Sequence, residues 1–412
     1  MLDIRLIRND PAGVTEALAR RGDTAPGAVT DLLSLDERWR SLTAELEDLR
    51  AQQNRASKGR SGAPSPAERE QMAQLAARGR TLTEHETATR AELDELLLGL
   101  PNLPSASAPD QDTVLREVGA AGKSGRDHLE LAGPMIDMER GAALSGSRFA
   151  YLRGGLVLLE FALVQYALAK LVSEGFEPVI TPVLVRERAL IGTGMLPDTE
   201  QQIYRLPEDD LYLVGTAEVA LASLHRDEIL RADALPLRYA GFSSCFRREA
   251  GAAGKDTRGI FRVHQFDKLE MFTFVEPGDS AAEHERLLAI EESILSELGI
   301  PYRVVAIAVN DLGASAALKY DCEAWMPGQG QYREVTSCSN TTDYQARRLD
   351  IRYRPADGKP AQLHTLNGTA VTWRHMIALL ENGQRDDGTV AIPEVLTRYG
   401  APATLSAAGG AQ

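Results

Sequence analysis

Between Phe246 and Glu270 the chain reads FRREAGAAGKDTRGIFRVHQFDKLE, in which six Arg or Lys side chains and His264 surround a run of Gly and Ala. The apolar stretch SSCF leads into it and FDKLEMF leads out. The pattern predicts two strands joined by a flexible hairpin loop that carries Lys255 and Arg258. By the two-residue period of a strand, Arg247 and Glu249 are expected on one face, a cation beside a carboxylate. A guanidinium suits displacement at phosphorus, where charge spreads over equatorial oxygens. Glu249 suits an exocyclic amine, and Phe266 the face of a purine. Taken alone, a basic Gly-rich hairpin also reads as a mobile surface loop.

Around this hairpin, strand-like runs (LYLV, LRYAGFSSCF, KLEMFTFV, YRVVAIAV) alternate with helical stretches at Leu156 to Ser173, Ala281 to Leu298 and Met376 to Asn382. Several strands follow one another without crossover helices, which favours an α+β fold with an antiparallel sheet flanked by helices. Neither GxGxxG nor GxxxxGK[ST] occurs, so a nucleotide would be held by side chains.

Towards the N-terminus, Leu35, Trp39, Leu42, Leu46 and Leu49 repeat at a 4,3,4,3 spacing, and Met72, Leu75, Leu82, Thr89, Leu93 and Leu96 continue a seven-residue rhythm. Between them lies SKGRSGAPSPAERE, with Ser65-Pro66 and Glu68 in the order of a helix cap and first turn. Two long antiparallel helices joined by a loop are expected, an arm over about residues 31–98. Residues 31–49 and 81–98 carry eleven acidic and three basic side chains, whereas residues 50–80 carry seven basic and two acidic ones. A solvated coiled coil has scattered charge. A cationic tip on an acidic stem instead suits contact with a phosphate backbone, through Arg50, Arg55, Lys58, Arg60, Arg69, Arg78 and Arg80. The segment LPNLPSASAPDQD, residues 100–112, reads as a boundary between an N-terminal domain (1–103) and a larger one (104–402); the small polar tail 403–412 is expected to be disordered.

The 412 residues, 43% hydrophobic and 25% charged, allow a sizeable core and exclude a disordered chain. A net charge of -14 argues against indiscriminate coating of nucleic acid, DNA included. Glu160, Gln165 and Lys170 interrupt the most apolar segment, which reads as a buried helix and not a membrane span. The N-terminus lacks a secretory pattern, so a cytoplasmic address is expected. Cys245, Cys322 and Cys338 form no CxxC pair, so neither disulfides nor a zinc site is expected. The seven histidines occur in no HExxH or triad-like context and read as packing or solvated residues.

The opening stretch resembles motif 2 of the class II aminoacyl-tRNA synthetases, in the form found in seryl-tRNA synthetases. In chain order, GFEPVITPVLVRERALIGTGMLP resembles motif 1, LVGTAEVAL the serine-recognition TxE segment, YREVTSCSNTTDYQARRL the strand with a metal-binding carboxylate, and HTLNGTAVTWRHMIALLEN motif 3, of actinobacterial type. The coiled-coil arm is also similar to that family, so the resemblance spans nearly the whole chain.

The resemblance implies activation of L-serine by ATP to seryl-adenylate, then transfer to serine tRNA and, where present, selenocysteine tRNA. Arg247 is then expected on the α-phosphate and among the serine contacts, and Arg374 on the γ-phosphate. Arg248, Glu249, Val263, His264, Gln265 and Phe266, with Glu334, Val335, Thr336 and Ser337, are expected around ATP. Magnesium is implied at Glu334 and Ser337. Side chains three apart on a strand share a face only if the chain bulges between them. Thr216, Ala217, Glu218, Glu270, Asn367 and Thr369 are expected around serine, with Thr216 and Glu218 on one strand face and Glu270 across the sheet at the serine hydroxyl. Lys255 and Arg258 join the arm residues as tRNA contacts. A homodimer formed through motif 1, around Pro182, is implied.

This chain departs from the family pattern at Trp373 beside Arg374, and at Ala220, Thr336, Thr341 and Gly383. These changes leave room for a specialised second copy, serving a biosynthetic pathway or tolerant of a seryl-adenylate mimic. Other readings are an amino acid:carrier protein ligase and a non-enzymatic adaptor. Shortened carrier-protein ligases lack the arm present here, and an adaptor predicts lost arginines.

Overall fold

The computed structural model describes residues 1–22, 27–58, 65–197, 202–250, 256, 258–356 and 358–407. The chain divides into two compact units, Met1–Leu103 and Pro104–Gln412.

The first unit is helical: α1 (Ile4–Asn9), α2 (Pro11–Ala19), α3 (Ala28–Ser57) and α4 (Pro66–Gly99). Ser65 and Glu68 form a reciprocal capping box at the start of α4, as their spacing predicts. Helices α3 and α4 run antiparallel, with Trp39 Nε1 donating to Glu86 Oε1 at 2.6 Å and Gln53 donating to the Leu75 carbonyl at 3.0 Å. Their seam buries Leu46, Leu49 and Leu82, and the base packs Leu93 and Leu97 against Ile7, Leu18 and Leu32. Each such leucine contributes about 1.5–3 kcal/mol. One expected seam position is corrected: Leu96 is 39% exposed and Leu97 is 2% exposed, because the step of four from Leu93 keeps to the inner face of a helix.

The second unit is built on an eight-stranded sheet. Its strands in chain order are β1 (Thr113–Val118), β2 (Glu177–Ile180), β3 (Leu237–Phe246), β4 (Gln265–Val275), β5 (Tyr302–Ala306), β6 (Leu318–Met326), β7 (Gln331–Asn340) and β8 (His364–Thr372). Across the sheet the order is β1-β5-β6-β7-β8-β4-β3-β2, antiparallel except for the β2–β3 pair. LYLV lies outside this sheet, since Leu211–Leu213 pairs in a separate three-stranded one.

One face of the sheet carries α5 (Gly155–Ser173), α6 (Ser280–Glu297) and α7 (Trp373–Asn382). Leu159 and Leu163 of α5, Leu287 and Ile294 of α6, and Met376 and Leu380 of α7 pack there with Leu269, Met271 and Val335 from the strands. Strict alternation on β4 turns Lys268, Glu270, Phe272 and Phe274 to the other face; Phe272 and Phe274 pack there with Leu221 and Ala217. Helix α5 is long and apolar enough to cross a membrane, and Leu156, Leu159, Leu163 and Leu171 bury one face of it in the core. Burial is thus one-sided, because Leu158, Phe161 and Val172 are 50–59% exposed.

Three bulges interrupt the sheet, one of them at Leu115 on the edge strand β1 and two near the centre. Glu334 pairs with Glu323 and Thr336 with Cys322, which leaves Val335 as the extra residue of β7. Thr369 pairs with Glu270 and Val371 with Leu269, which leaves Ala370 extra on β8. The expectation of a disordered tail is corrected for its first part: Thr404–Ser406 pairs with Thr389–Ala391, and Leu405 is fully buried. Residues 408–412 lie outside the described residues.

Candidate active site

Strand β3 ends at Phe246, so Arg247 and Glu249 do not share a face by strand alternation as expected. Glu249 takes a left-handed backbone conformation (φ 50°), which turns the chain. The neck of the hairpin closes by one backbone and one side-chain contact: Arg247 N donates to the His264 carbonyl at 3.0 Å, and His264 Nδ1 meets the Arg247 carbonyl at 2.9 Å. Its return limb is anchored by buried His128, whose Nε2 accepts from Ile260 N at 3.1 Å and whose Nδ1 meets Glu381 Oε1 at 3.0 Å.

Turn geometry nevertheless brings Arg247 and Glu249 together. They line one cleft with Val263, Phe266, Trp373 and Arg374. The Arg247 guanidinium lies 5.3 Å from the Phe266 ring centroid, and that of Arg374 lies 4.6 Å from the Phe261 ring centroid. Glu249 holds Arg262 at 3.3 Å. Arg248, His264 and Gln265 do not line this cleft: the His264 ring packs on Phe149, and Gln265 is exposed. Arg258 turns back to Asp127 at 3.0 Å and Glu130 at 3.5 Å.

A second, buried pocket adjoins Arg247. Thr216 donates to Glu270 Oε2 at 3.3 Å, Lys268 forms an ion pair with the same carboxylate, and Gln345 Nε2 donates to Glu218 Oε1 at 2.7 Å. Thr369 is the register partner of Glu270, and Asn367 that of Phe272, so both threonine and asparagine face this pocket. Thr216 and Glu218 do not lie on a strand. Glu218 opens the short helix Glu218–Ala222 after Ala217, and its amide donates to the Thr216 hydroxyl at 3.2 Å, a helix entry that the TAE tripeptide also encodes. Burial, and then the charge of Glu270, push the Glu218 carboxyl up to about 7. Burial also raises Glu270, against the pull of Lys268.

The bulge at Val335 does what the spacing of Glu334 and Ser337 requires. Glu334 reaches Arg374 Nη1 at 3.2 Å, and Ser337 stands opposite Asp321. Burial would raise Glu334, but the charges of Arg374, Lys319 and Arg247 outweigh it and hold the carboxyl down at about 2. The side chains of Val335 and Thr336, expected around ATP, turn away from the cleft. Val335 packs in the helix-side core and the Thr336 hydroxyl donates to the Thr369 carbonyl, because the extra residue turns both side chains away. Among the described residues no group of three or more His, Cys, Asp or Glu side chains is arranged to hold a metal. Glu334 and Ser337 offer hard oxygen ligands, one a carboxylate whose ionised form its cationic neighbours favour, which fits magnesium that arrives with phosphate oxygens and water.

Sequence reading missed Lys268, Gln345 and Lys319. Lys268 was signalled by its position two residues before Glu270 on one strand face; the others come from distant segments. On the arm, Arg50, Arg55, Lys58, Arg69, Arg78 and Arg80 are exposed, and Arg78 pairs with Glu45 at 2.6 Å. Arg60 and Lys255 lie outside the described residues.

Residues 1–104 match the seryl-tRNA synthetase N-terminal domain family, and residues 202–383 the tRNA synthetase class II core domain (G, H, P, S and T) family. A serine–tRNA ligase of Thermobifida fusca is 49% identical over 412 residues, covering 97% of each chain. One from Streptomyces coelicolor is 50% identical over 416 residues, again covering 97% of each. The crystal structure of seryl-tRNA synthetase from Pyrococcus horikoshii complexed with ATP superimposes with a TM-score of 0.91 at 40% identity, covering 98% of this chain and 99% of that one.

Proposed function

The chain belongs to the seryl-tRNA synthetase family, and on that premise we propose how its residues carry out ATP-dependent ligation of serine to tRNA. The observation that carries the reading is the position of Arg247. Its Nε donates to the Gly215 carbonyl at 3.2 Å, next to Thr216, while its guanidinium lies by Phe266 in the cleft, so one guanidinium joins an anionic pocket to a cationic cleft.

The serine ammonium enters among Glu218, Glu270 and Thr216, and its carboxylate meets Arg247. The hydroxyl lies against Glu270 and Thr369, and an alanine analogue forfeits that hydrogen bond in a buried site. Adenine stacks on Phe266 with its amine at Glu249, and the triphosphate runs from Arg247 to Arg374. The serine carboxylate then attacks the α-phosphorus in line, the bond to pyrophosphate breaks, and seryl-adenylate forms. Positioning and charge stabilisation supply the acceleration, and no side-chain nucleophile is required. Magnesium held by Glu334 and Ser337 would neutralise charge between phosphates. In the second step a terminal ribose hydroxyl of tRNA attacks the seryl carbonyl and AMP leaves. The exposed basic residues of α3 and α4, with Arg258, contact the tRNA backbone.

A C2 homodimer in the cytoplasm completes the reading. Its support is the exposed apolar surface of Leu158, Phe161 and Val172 on α5 and of Ile180, 85% exposed, on β2.

Serine-dependent ATP–pyrophosphate exchange tests this, with threonine, alanine and cysteine as competitors. Serine should be strongly preferred. Deleting residues 31–98 should abolish aminoacylation and spare exchange, and loss of both in a folded protein would refute the division of labour.

A further inference from the structure

Arg374 is the second residue of α7, at the positive end of the helix dipole, where a cation gains nothing from the helix itself. Its position must be fixed by neighbours. Thr372, the helix cap, donates to the Asp267 carbonyl at 3.2 Å. Trp373 Nε1 donates to Glu160 Oε1 at 2.5 Å, although the two residues are 213 positions apart. Asp267 lines the same small cavity as Glu160, its charge acts on that carboxyl, and it accepts a hydrogen bond from the Ser244 hydroxyl. The interaction therefore joins α5, β3, β4 and the first turn of α7 on the helix side of the sheet.

Its setting is apolar. Leu163, Val164, Val371 and Met376 surround the polar groups, and a hydrogen bond in such surroundings fixes one geometry. Burial, with the nearby Asp267 charge and against the pull of the Trp373 indole, pushes the Glu160 carboxyl up to about 7. Trp373 meanwhile lines the nucleotide cleft beside Arg374. It is both a wall of the cleft and the residue through which α5 holds the start of α7.

We propose that Glu160 is a positioning residue for ATP: by fixing the Trp373 indole, it sets where α7 presents the Arg374 guanidinium to the triphosphate. This rests on the role given to Arg374 above. Glu160 touches neither substrate and acts entirely through Trp373.

The test uses the full-length protein, with KM for ATP and KM for serine measured separately in pyrophosphate exchange. Glu160→Ala and Trp373→Phe, which removes the N–H and keeps an aromatic ring, should each raise KM for ATP by about tenfold, the worth of one charge-assisted hydrogen bond. KM for serine should stay within about twofold. Combined, the two changes should be no worse than either alone, as expected for partners in one contact. Glu160→Gln should stay near the parent protein, because its amide oxygen accepts from the indole and its NH2 donates to Asp267. If Glu160→Ala fails to fold, Trp373→Phe carries the test.

An unchanged KM for ATP in Trp373→Phe, or a parallel rise in both KM values, overturns the proposal. Arg374→Ala separates the two levels. If it weakens ATP binding while Glu160→Ala and Trp373→Phe do not, the positioning role alone is overturned. If Arg374→Ala leaves KM for ATP intact, the role of Arg374 is overturned and the inference with it.

Discussion

Arg374 grips Glu334 twice, donating from Nη1 to the backbone carbonyl at 3.1 Å and lying 3.2 Å from carboxylate Oε2. The arginine that is to meet the γ-phosphate thus rests on the carboxylate that is to hold magnesium. Arg374 favours the ionised form of Glu334, and each orients the other until ATP arrives.

Glu334→Gln removes the anion and keeps the shape. Pyrophosphate exchange should fall by roughly 100-fold or more, the usual cost of deleting one group that stabilises transition-state charge. The magnesium concentration for half-maximal exchange should rise as well. Titrating magnesium against both proteins checks this, and superimposable curves would count against Glu334 as a ligand.

The serine pocket has its own pH dependence. Glu218 is raised to about 7 by burial and by Glu270, so near neutrality it is partly protonated. An incoming ammonium favours the ionised form, so serine binding must release that proton below about pH 7. KM for serine should therefore fall as pH rises from 6 to 7.5 and then level off. The folding linkage has the opposite sense. Because the folded value lies above the unfolded one, the contribution of Glu218 to stability is fully present below the unfolded value and is lost as pH rises towards 7. Glu218→Gln should raise KM for serine and flatten its pH profile. A profile as steep as that of the parent would assign the proton elsewhere.

Local chemistry was readable. The capping box of Ser65 and Glu68, the strands on either side of the hairpin, and the need for a bulge between Glu334 and Ser337 all depend on residues within a few positions of one another. Misreadings arose where the local signal was short or ambiguous. Thr216 to Glu218 enter a five-residue helix too brief to show a period, and Glu249 leaves strand geometry at a turn of irregular backbone. The strand at Thr404–Ser406 is hidden in a run of small residues, with Leu405 its one apolar signal. Partnerships such as Gln345 with Glu218, or Glu160 with Trp373, join segments more than 100 residues apart and exist only once the sheet is assembled. The family resemblance supplied roles for residues, but it supplied none of these cross-links.

Lys268 and Glu270 form an ion pair whose side chains are only 10% and 2% exposed, with the Thr216 hydroxyl as the other donor to the carboxylate. Removing one partner from such a pair leaves an uncompensated buried charge, which costs about 3–5 kcal/mol, whereas replacing both with neutral groups costs far less. Lys268→Met should therefore lower the unfolding temperature clearly, and Lys268→Met with Glu270→Gln should recover most of the loss without restoring serine activation. The loss must also depend on pH. At pH 5 the raised Glu270 carboxyl of Lys268→Met takes up a proton and needs no counter-charge, while at pH 8 it must ionise in the core or force the pocket open. The gap in unfolding temperature between Lys268→Met and the parent should widen from pH 5 to pH 8. A gap independent of pH would mean that Lys268 contributes by packing its methylene chain, and that Glu270 is neutralised by another group.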